Sequence, residues 1–230
     1  MPESDGRHVP TGTTVNICFH GIGEPRRDLE PGEERYWIRP DQFHAILDDL
    51  LSWPSAQISF DDGNLSDVRI GLPGLTARGL SAEFFVLAGR LGTAGSLDAD
   101  DVRELQGHGM TIGTHGMHHR SWRGMDEQTT YDELVTARYR LVEVVEQDVT
   151  TAACPLGQYD RRALGELRRL GYTAVFTSDR RPARRAAWLQ PRFSVRRDDT
   201  PATLRAAVGA SRGWPRRIRG ELVSVAKRWR

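Results

Sequence analysis

Two short fragments of this sequence carry side chains that could hydrolyse a substrate with the help of a metal ion. Asp61-Asp62 ends an apolar run that begins at Ile58, and His115 and His119 follow another run about fifty residues later. Imidazole and carboxylate groups are the ligands of catalytic zinc-type sites, and a further carboxylate can take a proton from water. Neither fragment is specific alone, since both patterns are common on protein surfaces. Their order and spacing together favour a hydrolytic metal site.

The two fragments come at the ends of predicted strands. Apolar runs predict strands over 15–19, 58–60, 81–87, 110–114, 151–154 and 174–177, and helical spacing predicts helices over 40–51, 98–106, 130–147 and 161–170. This alternation favours parallel strands joined by helices. Barrels of parallel strands carry their functional side chains at the carboxyl ends of the strands, so we expect both fragments on one face. Thr130 and Glu133 have the spacing of a capping box, which predicts a helix start at Thr130.

Four further segments share their pattern with a known family. They are 74–86 (GLTARGLSAEFFV), 107–115 (GHGMTIGTH), 154–159 (CPLGQY) and Gly171-Tyr172. With the two fragments, they make the chain resemble the NodB-like polysaccharide deacetylases of carbohydrate esterase family 4 from residue 15 to about residue 180. The resemblance implies an α/β fold, a distorted and incomplete (β/α) barrel with fewer than eight regular strands. It also implies an enzyme that hydrolyses linear amide C–N bonds.

The resemblance suggests a role for individual residues of the site. Asp62, His115 and His119 match the family's three metal ligands, and Asp61 matches its general base. The backbone N–H of Leu156 matches the family's hydrogen-bond donor to the oxyanion. The implied cofactor is one divalent ion. Zinc is the default for nitrogen and oxygen donors, and cobalt, nickel or iron would suit the same set.

The sequence departs from the family pattern in three places. Ala153 stands where the third motif begins with an arginine that orients the base, and Cys154 replaces a proline. Gly116 replaces the hydroxyl residue that follows the first histidine and would brace its loop. No histidine follows His119, although many members of the family supply a late histidine as general acid.

Some positions keep two interpretations. His20, after the first strand, is the best remaining candidate for the general acid, or it caps the strand end. His118 is also within reach of an ion held by His115, although the matching family position is not a ligand. Residues 21–39 predict a long loop over the functional face, here called the 21–39 loop. The Tyr36-Trp37 pair, with Trp37 as the candidate substrate contact, could stack on a sugar ring or pack this loop onto the barrel.

Composition limits the class of protein. At 230 residues the chain can bury one substantial core, and 32 basic against 31 acidic residues give a net charge of +1, which predicts no nucleic-acid partner. Cys18 and Cys154 lie in or beside apolar runs, which is typical of a reduced compartment without disulfides. The first fourteen residues are polar and do not resemble a signal peptide, so a cytoplasmic location is predicted.

Three segments are expected along the chain: a flexible N-terminal tail over 1–14, the deacetylase-like barrel over 15–210, and a basic amphipathic tail over 211–230. The last segment combines many arginines with apolar residues at helical spacing. This pattern is typical either of peripheral contact with an anionic membrane surface or of a stripe packed on the barrel.

Two functions from different classes follow. The first is a metal-dependent hydrolase that removes an N-acetyl group from an amino sugar, in a poly- or oligosaccharide, a lipid-linked unit or a small precursor. The second is a degenerate barrel that binds metal or carbohydrate without turnover, as the missing arginine and late histidine suggest. Retention of both Asp61 and Asp62 favours the enzyme, since only catalysis needs the base.

Overall fold

Strands and helices alternate along the part of the chain that the computed structural model describes, residues 12–53 and 55–211. The strands are β1 (Thr13–Phe19), β2 (Ala56–Asp62), β3 (Glu83–Val86), β4 (Thr111–Thr114), β5 (Thr151–Ala153), β6 (Ala174–Thr177), β7 (Ala183–Arg184) and β8 (Leu189–Ser194). The helices are α1 (Pro40–Leu50), α2 (Leu72–Thr76), α3 (Ala99–Gly107), α4 (Glu127–Tyr131), α5 (Ala137–Val145), α6 (Arg161–Arg169) and α7 (Pro201–Ser211). A π-helical turn, Asp132–Thr136, joins α4 to α5.

The parallel strands close into a barrel. Their order around it is β1, β2, β3, β4, β5, β6 and β8, and β1 pairs with both β2 and β8. The short β7 is not part of this ring and pairs antiparallel with the start of β1. The predicted (β/α) barrel is confirmed. It is incomplete in the sense that seven parallel strands form the ring, fewer than the eight of a regular (β/α) barrel.

The alternation of side chains along β2 determines which of them face the barrel interior. Phe60 packs in the layer between barrel and helices, where its ring stacks on Phe84 at a centroid distance of 4.6 Å. Ser59 and Asp61 flank Phe60 and therefore point the other way, into the barrel. Asp62 ends the strand. Helix α1 covers the outer layer with the apolar face that its spacing predicts, including Phe43.

The sequence prediction lacks β7, β8, α2 and α7, and it misplaces the start of the long helix. The patterns do not predict β8, because Pro191 lies within it and a proline argues against a central strand. The long helix begins before Thr130, since the side chain of Asp126 accepts a hydrogen bond from the N–H of Thr129 and caps α4. The predicted capping box is therefore wrong, and Glu133 is free for another role.

None of the described helices is long and apolar enough to cross a membrane. β1 begins at Thr13, two residues before the predicted start of the barrel domain. Residues 1–11 and 212–230 lie outside the described residues, so almost all of the predicted C-terminal tail does too. Its membrane contact and the cytoplasmic location stay predictions.

Candidate active site

A cleft of about 280 Å³ opens at the carboxyl ends of the strands. Its lining includes most of the predicted site residues and part of the 21–39 loop: His20, Glu30, Tyr36, Asp61, Asp62, His115, His119, Leu156 and Arg192. Asp61 and Asp62 end β2, and His115 directly follows β4. The closed barrel thus brings the two fragments together, as their positions at strand ends predict.

Asp62, His115 and His119 present one donor atom each to a common point. The donor atoms lie within 4.8 Å of one another, and Nε2 of each histidine is 3.5 Å from Oδ1 of Asp62. That oxygen is buried and has no hydrogen-bond partner among the described residues. Burying an unpartnered carboxylate oxygen is costly unless a cation or proton donor meets it. The donor set therefore fits a divalent metal ion.

The other ring nitrogen of each histidine is already engaged. Nδ1 of His115 is 2.9 Å from the carbonyl oxygen of Ala153, and Nδ1 of His119 is 2.6 Å from Oε2 of Glu30. Because both partners are acceptors, each Nδ1 carries a proton and each Nε2 faces Asp62. Burial also lowers the pKa of His115 to about 4. Its imidazole is therefore neutral at pH 7, which is the form that binds metal ions.

Backbone strain is concentrated at this site. Among the described residues, five non-glycine residues have a positive φ, and three of them line the cleft: Asp62 at 78°, His119 at 51° and Leu156 at 57°. A left-handed backbone costs a residue with a Cβ about 1–3 kcal/mol, and such residues gather at functional sites. The strain supports a functional role for all three, including the turn after β5 that carries Leu156.

A second group of potential donors, Cys18, His20 and Asp61, lies nearby. Burial raises the pKa of the Cys18 thiol well above its usual value, so the thiolate needed for metal binding is disfavoured. Both carboxylate oxygens of Asp61 already accept hydrogen bonds from Arg192. The set centred on Asp62 is therefore the better metal site.

Asp61 is held by an arginine that the sequence motifs do not reveal. Arg192, on β8, donates hydrogen bonds of 2.6 Å to each carboxylate oxygen of Asp61 and one of 3.0 Å to Ser59. Burial alone would raise the pKa of Asp61, but the guanidinium outweighs burial and holds that pKa well below its usual value. The expectation that Ala153 leaves the base unsupported is wrong, because another strand supplies the arginine.

The loop over 115–119, here called the histidine loop, is held in place by the buried side chain of Glu133 instead of by a hydroxyl group. Glu133, in the π-helical turn, accepts hydrogen bonds from the backbone N–H groups of Met117 at 2.9 Å and His118 at 3.1 Å. Gly116 leaves room for this carboxylate, since a Cβ at Gly116 would overlap Oε2 of Glu133. The expectation that Gly116 costs the loop its support is therefore corrected.

His20 lies beside the candidate base. Its Nε2 is 4.0 Å from Oδ2 of Asp61, and its ring stacks on Tyr36 with centroids 4.8 Å apart. The side chain lines the cleft and is 14% exposed. This position suits a group that exchanges a proton with a bound substrate.

Trp37 and His118 lie away from the metal donors. Trp37 is 6% exposed, its ring covers Gly21, and its Nε1 is 3.3 Å from Oε1 of Glu33. This is the packing interpretation, and it leaves no face of Trp37 for a sugar. Tyr36 lines the cleft instead. His118 is exposed, with its ring beside Gly89.

Sequence reasoning misses three side chains that support the site: Arg192, Glu30 and Glu133. A usable signal exists for Arg192, because a parallel barrel needs a closing strand after residue 177 and Phe193 and Val195 alternate with polar residues there. Glu30 and Glu133 offer no comparable signal. Glu30 lies 89 residues from its partner His119. Glu133 lies 16 and 15 residues from its partners Met117 and His118.

The architecture is shared with solved deacetylase structures. The Streptococcus pyogenes deacetylase PplD, in complex with acetate, superposes with a TM-score of 0.73 at 18% identity, covering 85% of this chain and 98% of PplD. IcaB from Ammonifex degensii superposes with a TM-score of 0.70 at 22% identity, covering 85% of this chain and 97% of IcaB. At these identities the likeness shows the fold of the deacetylase barrel.

Sequence comparison gives the family. The model of the polysaccharide deacetylase family matches residues 52–175, more than half of the chain. The chain therefore belongs to the polysaccharide deacetylase family, which confirms the resemblance found in its motifs. YxkH of Bacillus subtilis (strain 168), provisionally named as a polysaccharide deacetylase, is 25% identical over 122 residues. The matched region is 53% of this chain and 44% of YxkH, so the chain spans less than half of that relative.

Proposed function

We propose that this protein is a metal-dependent hydrolase that removes the N-acetyl group from an amino sugar. The observation that carries the proposal is the buried Oδ1 of Asp62, which lacks a hydrogen-bond partner among the described residues and faces the Nε2 atoms of His115 and His119 at 3.5 Å each. Asp61, a carboxylate outside this donor set that Arg192 holds by two hydrogen bonds, lies directly before Asp62 at the end of the same strand. Family membership supplies the reaction class.

The residues of the cleft divide the chemistry among them. A divalent ion held by Asp62, His115 and His119 would polarise the amide carbonyl and make water more acidic. Asp61 takes the proton from the attacking water, and Arg192 keeps its carboxylate ionised and aimed. The N–H of Leu156 donates a hydrogen bond to the carbonyl oxygen as negative charge develops there. His20 delivers a proton to the departing amine.

The structure weakens the rival interpretation of a barrel without turnover. One of the two reasons for that interpretation was the missing arginine, but Arg192 forms an ion pair with the candidate base Asp61. The other ground, the missing late histidine, is met in this proposal by His20, which lines the same cleft. The ion pair with Arg192 also keeps Asp61 charged, as a general base requires.

Acetate release tests the proposal. The purified protein, stripped of metal and then supplied separately with Zn²⁺, Co²⁺, Ni²⁺ or Fe²⁺, is incubated with chito-oligosaccharides and with lipid-linked and nucleotide-linked N-acetyl sugars. We expect zinc to support turnover of at least one class, with loss on chelation and recovery on metal addition. The Asp61→Asn variant should lose roughly a hundredfold or more of the wild-type activity. The control variant Asp100→Asn, which changes an exposed carboxylate on α3, should match the wild type.

Absence of acetate from every substrate class, in a folded protein shown to hold the metal, would count against the enzyme. It would favour the binding-only barrel. The substrate class that releases acetate also shows whether the cleft accepts a polymer, a lipid-linked unit or a small precursor.

A further inference from the structure

Glu30 connects the 21–39 loop to the histidine pair. Its Oε2 lies 2.6 Å from Nδ1 of His119, and its Oε1 forms an ion pair with Arg90. Nδ1 and Nε2 are the two nitrogens of one ring, and Nε2 is the atom that faces Asp62. Glu30 therefore acts on the metal donors through His119 and is not itself one of the donor set.

The loop holds Glu30 in place through a chain of polar contacts. The N–H of Glu30 donates to Oε2 of Glu33 at 2.9 Å, and Glu33 forms an ion pair with Arg27. Nη2 of Arg27 also donates a hydrogen bond of 2.9 Å to Oδ1 of Asn64. Asn64 follows Asp62 by two residues, so the same network anchors the loop beside the end of β2.

The two histidines obtain their orientation in different ways. His115 is 2% exposed and hydrogen-bonds a backbone carbonyl, that of Ala153, which belongs to β5 of the barrel. His119 has a left-handed backbone at φ 51° and depends on a side chain from a loop. Of the two, His119 is thus the ligand whose geometry a change in the 21–39 loop can alter.

We propose that Glu30 is a positioning residue that fixes the tautomer and ring orientation of His119, and so makes metal affinity depend on the 21–39 loop. The inference rests on the donor set of the proposed function. A carboxylate on the outer nitrogen of a histidine ligand raises the basicity of the inner nitrogen, and loss of such a partner typically weakens metal binding by about 10–100-fold.

The first test compares metal affinities. Zn²⁺ is titrated against a chromophoric chelator in the full-length wild type and in Glu30→Ala, Glu30→Gln and Glu34→Gln. Glu34→Gln is the matched control, because it removes the same charge from the same loop as Glu30→Gln. The side chain of Glu34 is exposed and does not line the cleft. We expect affinity to fall about 10–100-fold for Glu30→Ala, less for Glu30→Gln, and not at all for Glu34→Gln.

A double-mutant cycle separates positioning from a general structural role. In the His119→Ala background, Glu30→Ala should cause no further loss of Zn²⁺ affinity, because the group through which it acts is gone. An equal loss in both backgrounds would overturn the inference, as would wild-type affinity in Glu30→Ala. If Glu30→Ala does not fold, as judged by circular dichroism, Glu30→Gln takes its place in the cycle.

The second test needs no metal. Long-range ¹⁵N NMR of the metal-free protein at pH 8 should show His119 protonated at Nδ1 in the wild type and with a substantial Nε2-protonated population in Glu30→Ala. The same tautomer in both would overturn the inference. If Asp62→Asn binds Zn²⁺ as tightly as the wild type, the donor set of the proposed function fails, and the tautomer comparison still decides whether Glu30 orients the ring.

Discussion

Arg192 and Asp61 form a bidentate ion pair inside the barrel, with Nη1–Oδ1 and Nη2–Oδ2 distances of 2.6 Å each. The two residues are 131 positions apart in the sequence. The pair gives the candidate base a fixed direction and a permanent charge. Because its two members come from β2 and β8, it exists only when the barrel closes. The competence of the base is therefore a property of the tertiary fold and not of its local motif.

Replacing Arg192 should move the acid limb of the pH–rate profile. The guanidinium lowers the pKa of Asp61 against the opposing effect of burial, so Arg192→Gln should raise that pKa and shift the acid limb of kcat/KM to higher pH. Arg192→Lys keeps the charge but not the two-point geometry, and should lower kcat with a smaller shift. Coincident acid limbs in all three proteins would show that Asp61 is not the titrating base.

Asp61 and Asp62 should separate as base and ligand. Asp61→Asn should keep the metal but lose roughly a hundredfold or more in kcat, the usual scale for a general base. Asp62→Asn should lose metal as well as turnover, since its Oδ1 faces both histidines. Element analysis of the purified variants beside acetate release distinguishes the two. Near-normal turnover by Asp61→Asn would mean that another group deprotonates water.

Replacing Gly116 with a residue that has a side chain should lower the free energy of unfolding. Gly116→Ala places a Cβ against Oε2 of Glu133 at φ 84°, whereas Gly109→Ala places one in open space at φ 78°. The control should cost about 1–2 kcal/mol of unfolding free energy from the left-handed backbone alone, and Gly116→Ala should cost distinctly more. Chemical denaturation measures both. Equal costs would show that Glu133 does not depend on the space at Gly116.

His20 should affect turnover without affecting the metal. The ring lies 4.0 Å from Asp61 and stacks on Tyr36, but it is outside the donor set of Asp62. His20→Gln should therefore lower kcat by about 10²–10⁴-fold, the range for a general acid, with an unchanged Zn²⁺ content. An unchanged kcat would assign His20 a structural role at the end of β1.

The sequence predicts those parts of the site whose residues are neighbours in the chain. Asp61 and Asp62 are adjacent, His115 and His119 are four residues apart, and each pair follows an apolar run that predicts a strand. Parallel strands align their carboxyl ends, so the meeting of the two pairs also follows.

The rest depends on distant contacts or on competition between local patterns. Pro191 hides the strand that carries Arg192, and the contact between Glu30 and His119 spans 89 residues. Thr130 and Glu133 have the spacing of a capping box, yet Asp126 caps the helix and Glu133 turns to the histidine loop. Tyr36 and Trp37 are adjacent aromatic residues, and only packing decides which of them faces the cleft.

The metal site formed by Asp62, His115 and His119 can be examined by anomalous diffraction from crystals grown with Zn²⁺, because this measurement locates the ion and its ligands at once. We expect a single strong peak within bonding distance of Oδ1 of Asp62 and Nε2 of both His115 and His119, and a much weaker peak in crystals of His119→Ala grown at the same Zn²⁺ concentration. Ligation through His118, a peak at Cys18, His20 and Asp61, or full occupancy in His119→Ala would contradict this assignment.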